Sequence, residues 1–285
     1  MIMRLRSAGL LALCLLAPTF ASAADSAYAS EDVEFESHGV KLAGSIVLPR
    51  DSRIRAAVVF VHGSGKQARN PALAEQFARE GIAALVYDKR GAGKSGGEYE
   101  ANQSVSERNI SLLADDAAAA LSALSRHASL RGVPLGFAGI SQAGWIAPIA
   151  AERNPDAKFL VMWSGPVCKV SEEDVFSKYT ADKDALVAPP FRTALESRKE
   201  KYIWPDFLGK DTHPADSLAK LSIAGLWIFS DNDGSIPVDL SIANLQKLRG
   251  SGHRFDYVLF SGLGHNNMDG TFAAATDWIR RVAAK

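Results

Sequence analysis

Six short runs dominated by apolar residues recur along this chain, spaced widely enough to leave room for a helix between most of them: Ala56–Val61, Ile82–Tyr87, Val133–Ala138, Phe159–Trp163, Leu226–Phe229 and Phe255–Phe260. A strand with one face in water alternates apolar and polar side chains, whereas a strand that is apolar throughout must be covered on both faces. Helical stretches fall between and after them, at Pro71–Glu80 before Gly81, from about Asn109 to Ala128, from Trp145 onward, at Leu240–Arg249 and at Thr271–Ala284. Strands alternating with helices in this way predict a mainly parallel sheet with helices on both faces. Ahead of them, Val33–Glu36 and Gly44–Pro49 flank a His38-Gly39 turn and predict an antiparallel hairpin.

One segment departs from the rhythm. From Cys168 to Ser222 the chain is charged and irregular and carries Phe176, Tyr179, Phe191, Tyr202, Trp204 and Phe207. Connections in compact domains are far shorter, so a segment of this length is expected to be a lid or binding element over the carboxyl ends of the strands.

The first residues belong to no such domain. Arg4 and Arg6 precede an apolar run from Ala8 to Ala17, and Ala21-Ser22-Ala23 fits a small-x-small cleavage site. Residues 1–23 therefore read as a signal peptide and 24–285 as the mature domain, exported to the periplasm or secreted. The apolar run is too short to anchor the mature protein stably in a membrane. Cleavage leaves 30 basic against 32 acidic residues and no basic run, which argues against a nucleic-acid partner. It also leaves Cys168 as the lone cysteine, expected to be a buried small apolar residue. No histidine has a second histidine or a cysteine at ligand spacing, so no metal is expected.

Within this frame Gly139-Ile140-Ser141-Gln142-Ala143-Gly144 sets a serine between small residues where a strand should turn sharply into a helix. That is how a nucleophile is lifted clear of the backbone. After the last strand, Ser261-Gly262-Leu263-Gly264-His265-Asn266 presents a histidine in a small-residue loop before the final helix. After Leu226–Phe229, the turn Ser230-Asp231-Asn232-Asp233-Gly234-Ser235-Ile236-Pro237 offers two carboxylates; Asp233 has the spacing to Pro237, and Asp231 is the competitor, better suited to bonding its own turn. Gly93-Lys94-Ser95 mimics the end of a phosphate-binding loop, but Asp88 stands where the first glycine should be.

Together with His62-Gly63-Ser64-Gly65 and the D-x-R-G-x-G-x-S stretch from Asp88 to Ser95, these motifs resemble the α/β hydrolase superfamily of serine hydrolases, in particular exported bacterial carboxylesterases, over essentially the whole mature chain. Ala143 departs from the usual glycine of G-x-S-x-G. The resemblance implies that Ser141 is the nucleophile, His265 the base and Asp233 the orienting acid, with the backbone N–H groups of Gln142 and Ser64 as the oxyanion hole. It implies no cofactor, a bracing role for His62, and a pairing of Asp88 with Arg90 that holds the loops. The expected substrate is a small apolar or aryl carboxylic ester, met by Tyr179, Tyr202, Trp204 and His213 of the insert. Amide, peptide or thioester cleavage by the same triad, or a non-catalytic binding protein on the same fold, are the alternatives.

Overall fold

In the computed structural model, residues 27–50 and 52–284 are described; the leader read at residues 1–23 lies outside them. Strands β1 (Tyr28–Ser37) and β2 (Val40–Pro49) form the expected hairpin, and the His38-Gly39 turn takes left-handed backbone at both positions, φ 51° and 71°. That turn matches the right-handed twist of the two strands. There follow β3 (Ala56–Val61), α1 (Pro71–Arg79), β4 (Ile82–Tyr87), α2 (Glu107–Ser125), β5 (Leu135–Ile140), α3 (Ala143–Arg153) and β6 (Ala157–Trp163). The insert contributes α4 (Val170–Thr180), α5 (Phe191–Glu196) and α6 (Ala215–Leu218). The chain closes with β7 (Ala224–Ser230), α7 (Val238–Gly250), β8 (Arg254–Phe260) and α8 (Met268–Ala283).

The eight strands form one sheet in the order β1-β2-β4-β3-β5-β6-β7-β8, antiparallel from β1 to β4 and parallel from β4 to β8. From β3 the chain first steps to β4 on one side and then to β5 on the other. The crevice beyond the carboxyl ends of β3 and β5 is thus a topological switch point, where open α/β sheets bind ligands.

The apolar runs are explained by the two cores they feed. In β3, Ala57, Val59 and Val61 point to one face while Ala56, Val58 and Phe60 point to the other. The first face packs against α2, α3 and α7 through Ile110, Leu121, Ile146 and Leu245; the second packs against α1 and α8 through Leu73, Phe77, Trp278 and Ile279. Helix starts are fixed locally: Asn70 caps α1 by accepting the Leu73 N–H at 3.3 Å, with Pro71 behind it, and Ser106 accepts the Asn109 N–H at 3.2 Å to begin α2. Strand β8 closes the sheet as an edge, which is why its central residues stay partly in solvent.

The insert makes its own small core of Val175, Phe176 and Ala194, with Phe191 and Tyr202 packed against it. Cys168, at its start, is fully buried, and its carbonyl accepts the Trp145 indole N–H at 2.9 Å.

Candidate active site

Ser141 follows the last residue of β5 and takes φ 56°, a left-handed conformation that costs a non-glycine residue about 1–3 kcal/mol. The surrounding structure enforces it. The Ser141 N–H donates to Trp163 O at 3.0 Å, so the turn is tied to the end of β6, and the Ser141 carbonyl accepts the Gly144 N–H at 2.8 Å as α3 begins. The small neighbours are required by contact. A Cβ on Gly139 would stand 2.5 Å from the Ala143 methyl and 2.9 Å from Val61 O, and a Cβ on Gly144 would stand 2.6 Å from Pro166. Ala143 is fully buried in that crevice.

The acid turn and the base loop leave β7 and β8 at the same end of the sheet. Asp233 is fully buried and both its oxygens accept from Nδ1 of His265, at 3.0 and 2.9 Å. Its Oδ1 also accepts the backbone N–H groups of Ser235, at 2.9 Å, and Ile236, at 3.1 Å, which fixes the carboxylate in its own turn. Burial alone would lower the pKa of His265, but the Asp233 bond and charge, with the charges of Asp184 and Asp182, outweigh it and hold the pKa above 6.5. Asp231 does something else: its Oδ1 accepts the Gly262 N–H at 3.1 Å and joins the ends of β7 and β8.

The base loop has further anchors. Ser164 Oγ donates to His265 O at 2.7 Å, and Ser230 Oγ accepts the Leu263 N–H at 3.0 Å. Since Ser164 directly follows the Trp163 that holds Ser141, Ser141 and His265 hang from one point, the end of β6. Among the described residues no hydrogen bond joins Ser141 Oγ to His265; such bonds tighten when substrate binds.

The loop after β3 lies against Ser141, because a Cβ on Gly63 would stand 3.4 Å from Ser141 Cβ. His62 is buried and bonded through Nε2 to Tyr87 O, and burial lowers its pKa, so it braces the loop as a neutral ring. The backbone N–H groups of Ser64 and Gln142 donate to no other group among the described residues. Behind both lies Lys89, 2% exposed, its ammonium donating to Gly63 O at 2.8 Å, Gly65 O at 3.2 Å and Gln142 Oε1 at 2.9 Å. Gln142 Nε2 in turn donates to Ser104 O at 2.8 Å.

Asp88 and Arg90 do not pair, contrary to the expectation from sequence. Asp88 accepts the N–H groups of Arg69 and Lys94, both at 2.8 Å, with the Arg69 guanidinium 3.4 Å away. Arg90 instead reaches Asp116 of α2, its Nε donating to Oδ2 at 3.0 Å. The two side chains serve different joints of the same loop.

The four residues assigned to a substrate pocket are placed largely within the insert. Trp204 donates its indole N–H to Gly209 O at 2.7 Å, and His213 Nδ1 accepts the Ala215 N–H at 3.1 Å at the start of α6. Tyr202 lies under Lys178 and Arg198, 5.7 and 4.9 Å from its ring centroid. Tyr179 is 45% exposed on α4. Two residues that sequence reasoning passed over touch the site instead: Lys89, hidden inside a loop read as purely structural, and Asp184, one of many charges in the insert. Asp184 accepts the N–H groups of both Gly234 and His265.

Residues 52–219 match the protein family described as serine aminopeptidase, S33, a stretch that contains the His62–Gly65 loop and Ser141 and ends before Asp233 and His265. The polyketide transferase claH of Penicillium crustosum is 33% identical over 104 residues, 36% of this chain and 32% of that protein, so the chain spans about a third of the curated relative it matches. Among solved structures, the Pyrococcus furiosus esterase Pf2001 superposes with a TM-score of 0.62 at 18% identity, covering 91% of each chain. The Pyrococcus horikoshii acylaminoacyl peptidase superposes with a TM-score of 0.61 at 17% identity, covering 90% of this chain and 40% of its own. At these identities the structures share the α/β hydrolase fold.

Proposed function

The chain belongs to the serine aminopeptidase S33 family of α/β hydrolases, and from that premise we propose that it is an exported serine hydrolase that cleaves small apolar or aryl carboxylic esters through an acyl-enzyme. The observation that carries this reading is the buried Asp233–His265 pair at the same end of the sheet as the strained Ser141.

In the proposed cycle His265 Nε2 takes the Ser141 proton as Oγ attacks the acyl carbonyl, and Asp233 holds Nδ1 protonated so that Nε2 is the free base. The oxyanion forms against the N–H groups of Gln142 and Ser64. His265 then returns the proton to the leaving alcohol oxygen, and water repeats the sequence on the acyl-enzyme. The chemistry draws only on these side chains and amides.

The insert from Cys168 to Ser222 is proposed as the lid. Support comes from its direct hold on both loops: the Ala185 and Ala188 N–H groups donate to Asn232 O and Asp231 O at 3.2 and 2.8 Å, and Asp184 accepts the His265 N–H at 3.2 Å. Export is proposed on the leader sequence.

The test is turnover of a short-chain 4-nitrophenyl ester together with labelling by a fluorophosphonate. Wild-type protein should show both and folded Ser141→Ala neither. Folded wild-type protein that neither turns over nor takes the label would remove the catalytic reading and favour a binding role. A second reading, amide or peptide cleavage by the same triad, is favoured by the family's description and by the acylaminoacyl peptidase likeness. Matched ester and amide substrates with one acyl group would separate the two.

A further inference from the structure

Lys89 is a buried ammonium with no carboxylate partner among the described residues. Such a charge is expensive unless its hydrogen bonds are complete. Here the bonds are complete. Nζ donates to Gly63 O, Gly65 O and Gln142 Oε1, at 2.8, 3.2 and 2.9 Å, and lies 5.9 Å from the centroid of the Tyr99 ring.

All three acceptors belong to the two halves of the oxyanion hole. Gly63 and Gly65 flank Ser64, and the left-handed turn at Gly65, φ 92°, brings the second carbonyl round to the same ammonium. The described peptide bonds are all trans. In a trans peptide plane the C=O and N–H point in opposite directions. When Lys89 holds Gly63 O, the Ser64 N–H in that same plane must point away from Lys89, and the loop that carries it abuts Ser141 at Gly63. On the other half, the bonds from Lys89 and to Ser104 hold both the oxygen and the nitrogen of the Gln142 side-chain amide. A cation on a carbonyl also polarises the amide it belongs to and strengthens that amide as a donor.

Resting on the serine-hydrolase reading, we propose that Lys89 is a positioning residue for the oxyanion hole: its charge fixes the Ser64 and Gln142 amides and favours the negative charge that develops in the transition state over the neutral bound ester. Such a group changes the chemical step and leaves substrate binding nearly untouched.

The surroundings make its charge readable. Burial pushes the Lys89 ammonium down to about 8. The other charged and titratable groups about it are Asp88, held by Arg69 and the Lys94 N–H, and His62, kept neutral by burial, with the Tyr99 ring on the remaining side. Loss of the proton as pH rises through about 8 should therefore appear as a falling alkaline limb in kcat.

The experiment measures kcat and KM separately for a short-chain 4-nitrophenyl ester, from pH 6 to 10, in wild type, Lys89→Met and Lys89→Gln. It adds the affinity of each for a trifluoromethyl ketone, which forms an oxyanion on the serine. Lys89→Met should lose kcat by a factor of about 10 to 100, less than the hundredfold or more lost with an oxyanion donor itself. KM should stay within about threefold, the ketone affinity should fall with kcat, and the alkaline limb should vanish. A folded Lys89→Met with kcat and ketone affinity within about threefold of wild type overturns the proposal, as does a wild-type kcat that stays flat from pH 8 to 10. Should Lys89→Met fail to fold, Lys89→Gln, which keeps a donor without the charge, decides on the same readings. Wild type that neither turns over nor takes a fluorophosphonate sinks the serine-hydrolase reading, and this proposal with it; turnover that is indifferent to Lys89 sinks this proposal alone.

Discussion

Asp184 reaches out of the insert and accepts the backbone N–H of His265 on both carboxylate oxygens, at 3.2 Å each. The same carboxylate takes the N–H of Gly234, next to Asp233, at 3.0 Å. Its negative charge also favours the protonated ring of His265. Asp184→Asn keeps an acceptor and removes the charge. The His265 pKa should then fall, and the acidic limb of the kcat/KM profile should move to lower pH. Thermal stability should change little. The pH profile of ester hydrolysis checks this, and a limb that does not move would mean the charge is screened from the ring.

The Asp233–His265 pair links activity to stability with opposite signs. The folded pKa of His265 lies above 6.5. Its contribution to stability is therefore complete below about 6.5, the unfolded value, and is lost as pH rises through the folded pKa. Catalysis needs the neutral ring, so activity should grow over the range in which this increment of stability fades. Thermal melts of wild type and His265→Gln at pH 5.5 and 8.5 test it: the gap in Tm between the two proteins should be wider at pH 5.5. A gap that widens at the higher pH would reverse the sign argued here.

Much of the frame could be read because it is written locally. The apolar runs at Ala56–Val61 and Ile82–Tyr87 coincide with β3 and β4, since a strand feeding two cores has no polar face to blur its ends. Non-local pairings leave no such trace. Arg90 finds its carboxylate 26 positions away and Asp88 finds Arg69 at 19, so the pairing expected within the loop named the wrong couple. Lys89 was invisible for a related reason: a buried cation held by carbonyls has no acidic partner to announce it. In the insert, the Trp204 indole N–H and His213 Nδ1 bond within a few residues of themselves, so these two polar atoms are taken up locally.

The Arg90–Asp116 ion pair should dominate the stability of the loop after β4. Asp116 is fully buried, and Arg90 also donates to Ser37 O at 3.2 Å, tying the loop and α2 to β1. Asp116→Ala would strand a buried guanidinium and should cost about 3–5 kcal/mol. Replacing both partners, Arg90→Met with Asp116→Leu, should recover most of that loss, because the desolvation of both charges disappears with them. Urea unfolding of the two proteins checks it. A double variant as unstable as the single one would show that the pair is needed for its hydrogen bonds rather than its charge balance.

Ala143, in place of the usual glycine, is accommodated by Gly139 across the elbow. A Cβ on Gly139 would lie 2.5 Å from the Ala143 methyl and 2.9 Å from Val61 O. Gly139→Ala should thus destabilise the fold by about 1–3 kcal/mol, as overpacking does. It should also lower kcat, because the displaced backbone carries Ser141 two residues later. Ala143→Gly alone opens a methyl-sized gap in a buried position and should cost about 1 kcal/mol in a helix. Combined, the two changes should destabilise less than the sum of the singles, since the methyl–methyl clash is gone and only the contact with Val61 O remains. Urea unfolding of the four proteins gives the coupling directly, and purely additive losses would place the strain of Gly139→Ala on Val61 alone.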